Sequence, residues 1–367
     1  MIYLDYQATT PLAPEAFDAM LPWLRADLPG GHANPHSAHA PGRAARAAVE
    51  IARDWVEALF PAAGTLAFTS GATEALNWAI KGSTGPIVTI ATEHAAVLDT
   101  VAAEAARGRP VTILPVGSDG RVDLSAAERA IVPGTGLVAV MLVNNEIGVI
   151  QPVEALAAIA HDAGALLLCD AVQGYGRVAI PAGADLVAIS AHKIHGPKGI
   201  GALWLREGVT LAPLLHGGGQ EAPGRSGTLS PALCAGFGAA ARLMQERAEA
   251  DAAHVAALAD AARARLGGGW EVNGALQHRY PGNLNLRRPG LDVARMMSDL
   301  RDIAFSAGSA CASGSGRASH VLRALGLSEA EARSSIRLGF GRYTRKEELE
   351  MAIDRIVAAA DAQAALA

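Results

Sequence analysis

The chain has 367 residues, half of them apolar, which is enough for a large core and more than one domain at roughly 150 residues each. A formal net charge of -5 with no long run of like charge excludes the basic footprint of a nucleic-acid binder. Three cysteines with no CxxC pair argue against a disulfide framework or a zinc knuckle. No uncharged stretch reaches the ~20 residues of a membrane span, and Met1-Ile2-Tyr3-Leu4-Asp5 lacks a signal core, so a reduced, soluble, cytoplasmic protein is expected.

From about residue 60 to 210, short apolar runs alternate with helical patterns: Leu66 to Thr69, Ile87 to Ala91, Val138 to Val143, Ala165 to Cys169, Asp185 to Ser190 and Gly201 to Leu205. Such two-sided runs predict a mostly parallel sheet covered by helices on both faces. A long amphipathic segment from Pro231 to Leu266 follows. Then comes a smaller α+β unit with a strand at Tyr280 to Leu286, a helix near Asp292 to Arg301, a strand at Ile336 to Gly339 and a last helix from Lys346. The first residues are expected to return to that unit. The division is therefore a large domain over 12–250 and a small one over 1–11 and 251–367.

Polar residues follow each apolar run. Thr69 leads into Ser70-Gly71-Ala72-Thr73-Glu74, Ala91 into Thr92-Glu93-His94, and Val143 into Asn144-Asn145-Glu146. Cys169 leads into Asp170-Ala171-Val172-Gln173, and Ser190 into Ala191-His192-Lys193. In an open α/β sheet a ligand sits outside the carboxyl ends of the strands, so these groups converge on one site. Neither GxGxxG after a strand nor GxxxxGK[ST] occurs, which leaves a dinucleotide or P-loop site without its signature. Pyridoxal 5'-phosphate fits the inventory. It needs a lysine for a Schiff base (Lys193), an acid for its ring nitrogen (Asp170) and a phosphate cradle (Ser70 to Thr73). Each residue alone also has an ordinary explanation, Ser70 and Asp170 as helix caps and Lys193 as solvated surface.

These segments, with Val143-Asn144-Asn145-Glu146-Ile147-Gly148, His192-Lys193-Ile194-His195-Gly196-Pro197-Lys198-Gly199 and Gly341-Arg342-Tyr343-Thr344, resemble the cysteine desulfurases of the class V aminotransferases over nearly the whole chain. The resemblance implies an α/β, type I PLP-dependent transferase fold, with a seven-stranded-type sheet and a smaller α+β domain carrying a catalytic cysteine loop. It implies that Lys193 holds the cofactor, that Asp170 pairs with the ring nitrogen, and that Asn145 and Gln173 bond the ring's phenolic oxygen. His94 would stack on the ring and move protons, while Ala72, Thr73, Ser190 and His192 would bind the phosphate. Thr228 would reach the phosphate of a partner subunit, making a homodimer. Arg342, with Asn145, would bind the L-cysteine substrate, its guanidinium forking onto the carboxylate.

Cys311 lies in Ser309-Ala310-Cys311-Ala312-Ser313-Gly314-Ser315-Gly316, a small-residue loop suited to an accessible, reactive thiol. Cys169 and Cys234 read instead as inert packing. By the resemblance Cys311 takes the substrate sulfur as a persulfide, leaving L-alanine, and its long-loop setting points to sulfur supply for an iron–sulfur scaffold or another thiolation acceptor. No resident metal is expected. Cys311 would at most touch an iron–sulfur centre in passing, and His32, His36 and His39 read as loop histidines. Ala191 departs from the family's second serine. The alternatives are a selenocysteine lyase or other class V lyase, and, against the joint retention of Lys193, Asp170, His94, Cys311 and Arg342, a non-catalytic sulfur-relay subunit.

Overall fold

The computed structural model describes residues 1–221, 224–308 and 318–365. A seven-stranded sheet runs through the large unit, built from β1 (Gly64–Thr69), β2 (Ile87–Ile90), β3 (Val111–Leu114), β4 (Leu137–Met141), β5 (Leu166–Asp170), β6 (Leu186–Ser190) and β7 (Gly201–Arg206). Their spatial order is β1-β7-β6-β5-β4-β2-β3. Strands β3, β2, β4, β5 and β6 pair in parallel, and β7 runs antiparallel to both β6 and β1.

Both faces of this sheet are buried, and alternation along β4 shows how. Val138 and Val140 enter the core beneath α1 (Ala40–Glu57), whereas Leu137 and Ala139 enter the opposite core with Leu76, Trp78 and Ile80 of α2 (Ala72–Gly82). The helix α3 (Ala95–Ala106) covers the same side as α2. The edge strand β3 was not anticipated. It has only four residues, and Ile113 is half exposed, so it carries little of the apolar signal that marks the inner strands.

The expected amphipathic segment from Pro231 to Leu266 forms two helices, α4 (Pro231–Glu246) and α5 (Ala248–Arg265), broken where Arg247 leaves helical geometry. The smaller unit contains β8 (Glu271–Val272), β9 (Asn283–Arg287), β10 (Ser306–Ala307) and β11 (Ser335–Gly339), ordered β10-β11-β9-β8, with α6 (Lys346–Ala364) packed on it. Its core gathers Leu284, Leu286, Ile336, Leu338, Leu349 and Ile353. Leu4 joins that core, and Ile2 and Tyr3 pair in parallel with Ile303 and Ala304, which returns the N-terminus to this unit. Among the described residues no helix is long and apolar enough to cross a membrane.

Candidate active site

A cavity of about 680 Å³ opens at the carboxyl ends of the parallel strands, and each of the five strand-end motifs contributes at least one lining residue. The β1–α2 turn begins it. Gly71 has φ 155° and ψ 174°, a region essentially restricted to glycine, so the chain can swing directly from strand to helix. No side chain caps α2, which leaves the first-turn N–H groups of Ala72 and Thr73 facing the cavity with the positive end of the helix dipole. Gly201 on β7 permits the tight packing behind this turn. A Cβ there would lie 2.5 Å from the Ile189 carbonyl oxygen and 2.8 Å from Gly71 Cα. Glu74 accepts from the Ser70 N–H at 2.7 Å and pairs with Arg225 at 2.9 Å, tying the 224–228 segment to the same turn.

His94 caps α3: its Nδ1 accepts from the Ala96 N–H at 3.1 Å, so the proton of the neutral ring belongs on Nε2. Burial lowers its pKa, assisted by Lys193 and His320 and opposed by Asp170. At the end of β4, Asn144 builds the turn that presents Asn145. Its Nδ2 donates to the Thr92 carbonyl at 2.8 Å, and its Oδ1 accepts from the Glu146 and Ile147 N–H groups. Asp170 ends β5, almost fully buried, with the Val172 N–H donating to Oδ1 at 3.0 Å. Burial raises its pKa, while that N–H and the positive charges of His94 and Lys193 pull it back. Gln173 donates to the Gln7 carbonyl at 2.8 Å and has a second amide hydrogen left for a ligand.

Lys193 follows β6 in a single 3-10 turn. Its Nζ donates to the carbonyls of Gln7 at 2.5 Å and Ala8 at 2.9 Å. Burial, with the neighbouring Arg337 and Arg177, lowers its pKa to about 8, so the amine loses its proton far more easily than an ordinary lysine. His192 sits beside it, 3.2 Å from the Thr9 hydroxyl, its pKa pushed down to about 4 by burial and two lysines. The N-terminal segment Gln7 to Thr10 therefore floors the site, a role the sequence reading did not assign. Thr10 locks it there: its N–H and hydroxyl both donate to the His192 carbonyl at 2.9 Å, and its hydroxyl accepts from the His195 N–H at 2.7 Å.

The description "Aminotransferase class-V" matches residues 2–351 of this chain. A cysteine desulfurase of Rickettsia rickettsii is 42% identical over 383 aligned residues, spanning 100% of this chain and 92% of that protein. The chain belongs to the cysteine desulfurases of the class V aminotransferase family. A solved NifS-like protein superposes with a TM-score of 0.89 at 31% identity, covering 98% of both chains. SspA, solved in complex with cysteine, gives 0.84 at 33% identity, covering 94% of this chain and 100% of that one. The fold is thus the type I fold shared by these desulfurases.

The site differs from the sequence expectation for this family in one important respect. Arg342 does not line the Lys193 cavity. Its Nε and Nη2 clasp Asp251 at 2.8 and 2.6 Å, and it lines a separate cleft of about 160 Å³. Arg337 does not line the Lys193 cavity either, but its charge, with that of Arg177, reaches Lys193. It is fully buried, donates from Nη1 to the Asn145 carbonyl at 3.0 Å and from Nη2 to Asp5 at 2.7 Å, and keeps a buried Nε with no partner among the described residues. The signal was present in Ser335-Ile336-Arg337-Leu338-Gly339. Ile336 and Leu338 enter the small core, so Arg337 between them must face the other way.

The remaining expected residues divide. Ala72, Thr73, His94, Asn145, Asp170, Gln173, Ser190, His192 and Lys193 line one cavity. Thr228 is exposed and does not line it within the single chain. Cys311 lies outside the described residues. On either side of it, Gly308 donates to the Ser335 carbonyl at 2.7 Å, Ser319 bonds Glu146, and His320 Nε2 lies 2.9 Å from the Glu93 carbonyl oxygen, so both flanks are tied close to Asn145 and His94. Cys169 and Cys234 are buried free thiols whose pKa burial pushes up, consistent with packing. No group of metal-ligating side chains occurs among the described residues. His39 caps α1, its Nδ1 accepting from the Gly42 N–H at 3.2 Å.

Proposed function

We propose that the chain is a pyridoxal-5'-phosphate-dependent cysteine desulfurase, converting L-cysteine to L-alanine with transfer of sulfur to Cys311 and then to an acceptor protein such as an iron–sulfur scaffold. The observation that supports it most is the meeting, in one cavity, of a lysine held near pKa 8, a nearly buried aspartate and an uncapped helix start. Those residues fit the cofactor: Lys193 would attach it, Asp170 would face the ring nitrogen, and Ala72, Thr73, Ser190 and His192 would hold the phosphate. When bound, the cofactor supplies an electron sink that eases breaking of bonds at the substrate α-carbon.

The chain's own groups do the rest. Arg337, not Arg342, receives the substrate carboxylate, because it bonds the Asn145 carbonyl, keeps a buried Nε without a partner among the described residues, and its charge reaches Lys193. Asn145 and Gln173 would orient the cofactor's ring oxygen. His94 Nε2 and Lys193 Nζ are the groups placed to hold or move a proton, both favoured in their neutral forms by burial. Cys311 takes the sulfur. Thr228, exposed beside the Arg225–Glu74 tie, reaches the phosphate of a second subunit, so the working unit is a homodimer. Borohydride reduction of the loaded protein should fix the cofactor on the peptide containing Lys193. Fixation on Lys81 or Lys198 would refute the assignment. Cys311→Ser should still bind cysteine while releasing almost no sulfide, and near-normal release would remove Cys311 from the mechanism.

A further inference from the structure

The cleft that holds Arg342 adjoins the Lys193 loop and measures about 160 Å³. Its walls come from the end of α4 at Met244, the first turns of α5 at Asp251 and Ala252, Arg177 after β5, His195 and Tyr280. Arg342 has a side chain only 4% exposed, and although two of its nitrogens clasp Asp251, Nη1 is buried without a partner among the described residues. Arg177 meets neutral groups: the Gln173 carbonyl and side-chain oxygens at 3.4 and 3.3 Å, the Lys193 carbonyl, and the face of Tyr280 at 5.3 Å. His195 adds no charge, since burial and then the two arginines push its pKa down to about 3. Among the described residues Asp251 is the one carboxylate lining the cleft, and it is also shared with Arg247 at 3.4 Å.

Two guanidinium charges thus face a small void against one carboxylate, with a buried N–H left over. A water molecule would satisfy that N–H without answering the charge. We propose that this cleft is a second ligand site, which takes a small oxyanion, a carboxylate or an inorganic oxyanion, between the Arg342 and Arg177 guanidiniums that line it. At a share of ~30 Å³ per water-sized group, the space admits about five heavy atoms. Occupancy bears on the Lys193 cavity, because Arg177 also bonds Gln173 and the Lys193 carbonyl.

The test is calorimetric titration of cofactor-loaded protein with acetate and, separately, sulfate, after the cofactor absorbance has been verified. Saturable binding of either is expected, and the tighter of the two names the source of the oxyanion. Arg342→Gln would leave Asp251 with only its longer Arg247 contact and destabilise the chain, so Ala252→Glu, at an exposed lining position of α5, is the informative variant. It should weaken binding at least about ten-fold by juxtaposing like charges while the cofactor absorbance stays unchanged. Arg337→Lys should leave anion binding intact. Absence of saturable binding would overturn the proposal. So would binding that survives Ala252→Glu and is lost in Arg337→Lys, because the anion would then occupy the substrate pocket.

Discussion

Two cavities border the Lys193 loop, and an arginine from the same stretch of the small unit stands by each. Arg337 on β11 stands behind the wall of the larger one without lining it, bonded to the Asn145 carbonyl and within electrostatic range of Lys193. Arg342, in the turn after β11, reaches the smaller one and is clasped by Asp251 of α5. In sequence the two look alike, and Arg342 sits in the more conspicuous motif. What separates them is direction. A strand sends alternate side chains to opposite faces, and the two apolar neighbours of Arg337 are committed to the small core, so Arg337 is driven toward the large unit. A turn imposes no such rule, and Arg342 follows its ion pair instead. The larger cavity is built to hold a reacting group, and the smaller pairs charge across α5.

Removing Lys193 gives the largest effect and defines which cavity is catalytic. Lys193→Ala should lose all borohydride-fixed cofactor, read by absorbance and peptide mapping, with sulfide release at background. Substituting the arginines breaks the comparison directly. Arg337→Ala should raise KM for cysteine on the order of a hundred-fold, as truncating one partner of a buried charge pair does. Arg342→Ala should leave KM within about three-fold but lower thermal stability, costing about 2 kcal/mol as Asp251 loses its two charged hydrogen bonds and keeps only the longer Arg247 contact. The reverse pattern, with KM following Arg342, would restore the reading made from the motif alone.

Gly71→Ala sharpens the description of the larger cavity. A Cβ there meets no atom within 4 Å, so nothing clashes, yet the backbone conformation is essentially glycine-only. Cofactor affinity, measured by titrating the apoprotein, should fall about ten-fold for ~1–2 kcal/mol of turn strain, while the melting temperature moves little. The smallest effect belongs to the smaller cavity and depends on pH. His195 has a folded pKa of about 3 against an ordinary value of 6.5. Between those values the unfolded chain binds the proton and the native chain does not, so stability should fall as pH drops through 6.5 toward 3. His195 also has φ 70°, which asparagine tolerates. His195→Asn should therefore fold and show a shallower loss of melting temperature across that acid range. An unchanged slope would place the acid sensitivity elsewhere, with His192, at about 4, the next group to test.

Much of the fold was legible beforehand because the inner strands are short apolar runs buried on both faces, and the residues that follow them are polar for a reason the core does not supply. Strand β3 escaped because an edge strand buries too little to leave a pattern, and the break at Arg247 escaped because no glycine or proline marks it. Within the site, Lys193, Asp170, His94, Asn145 and the Gly71 turn could be anticipated from their places at strand ends, since local chain geometry puts a strand-end side chain at the sheet's carboxyl edge. The floor formed by Gln7 to Thr10 could not be anticipated in this way, nor could the choice of Arg337 over Arg342. Each depends on contacts across long sequence separations, as when the Lys193 amine meets the Gln7 carbonyl or the Arg337 guanidinium meets Asp5 and Asn145. A local pattern determines which face a residue occupies. Which distant surface that face meets is decided only when the small unit, with the N-terminus bound into it, closes against the sheet and the buried charges must find partners or remain exposed to the cost of desolvation.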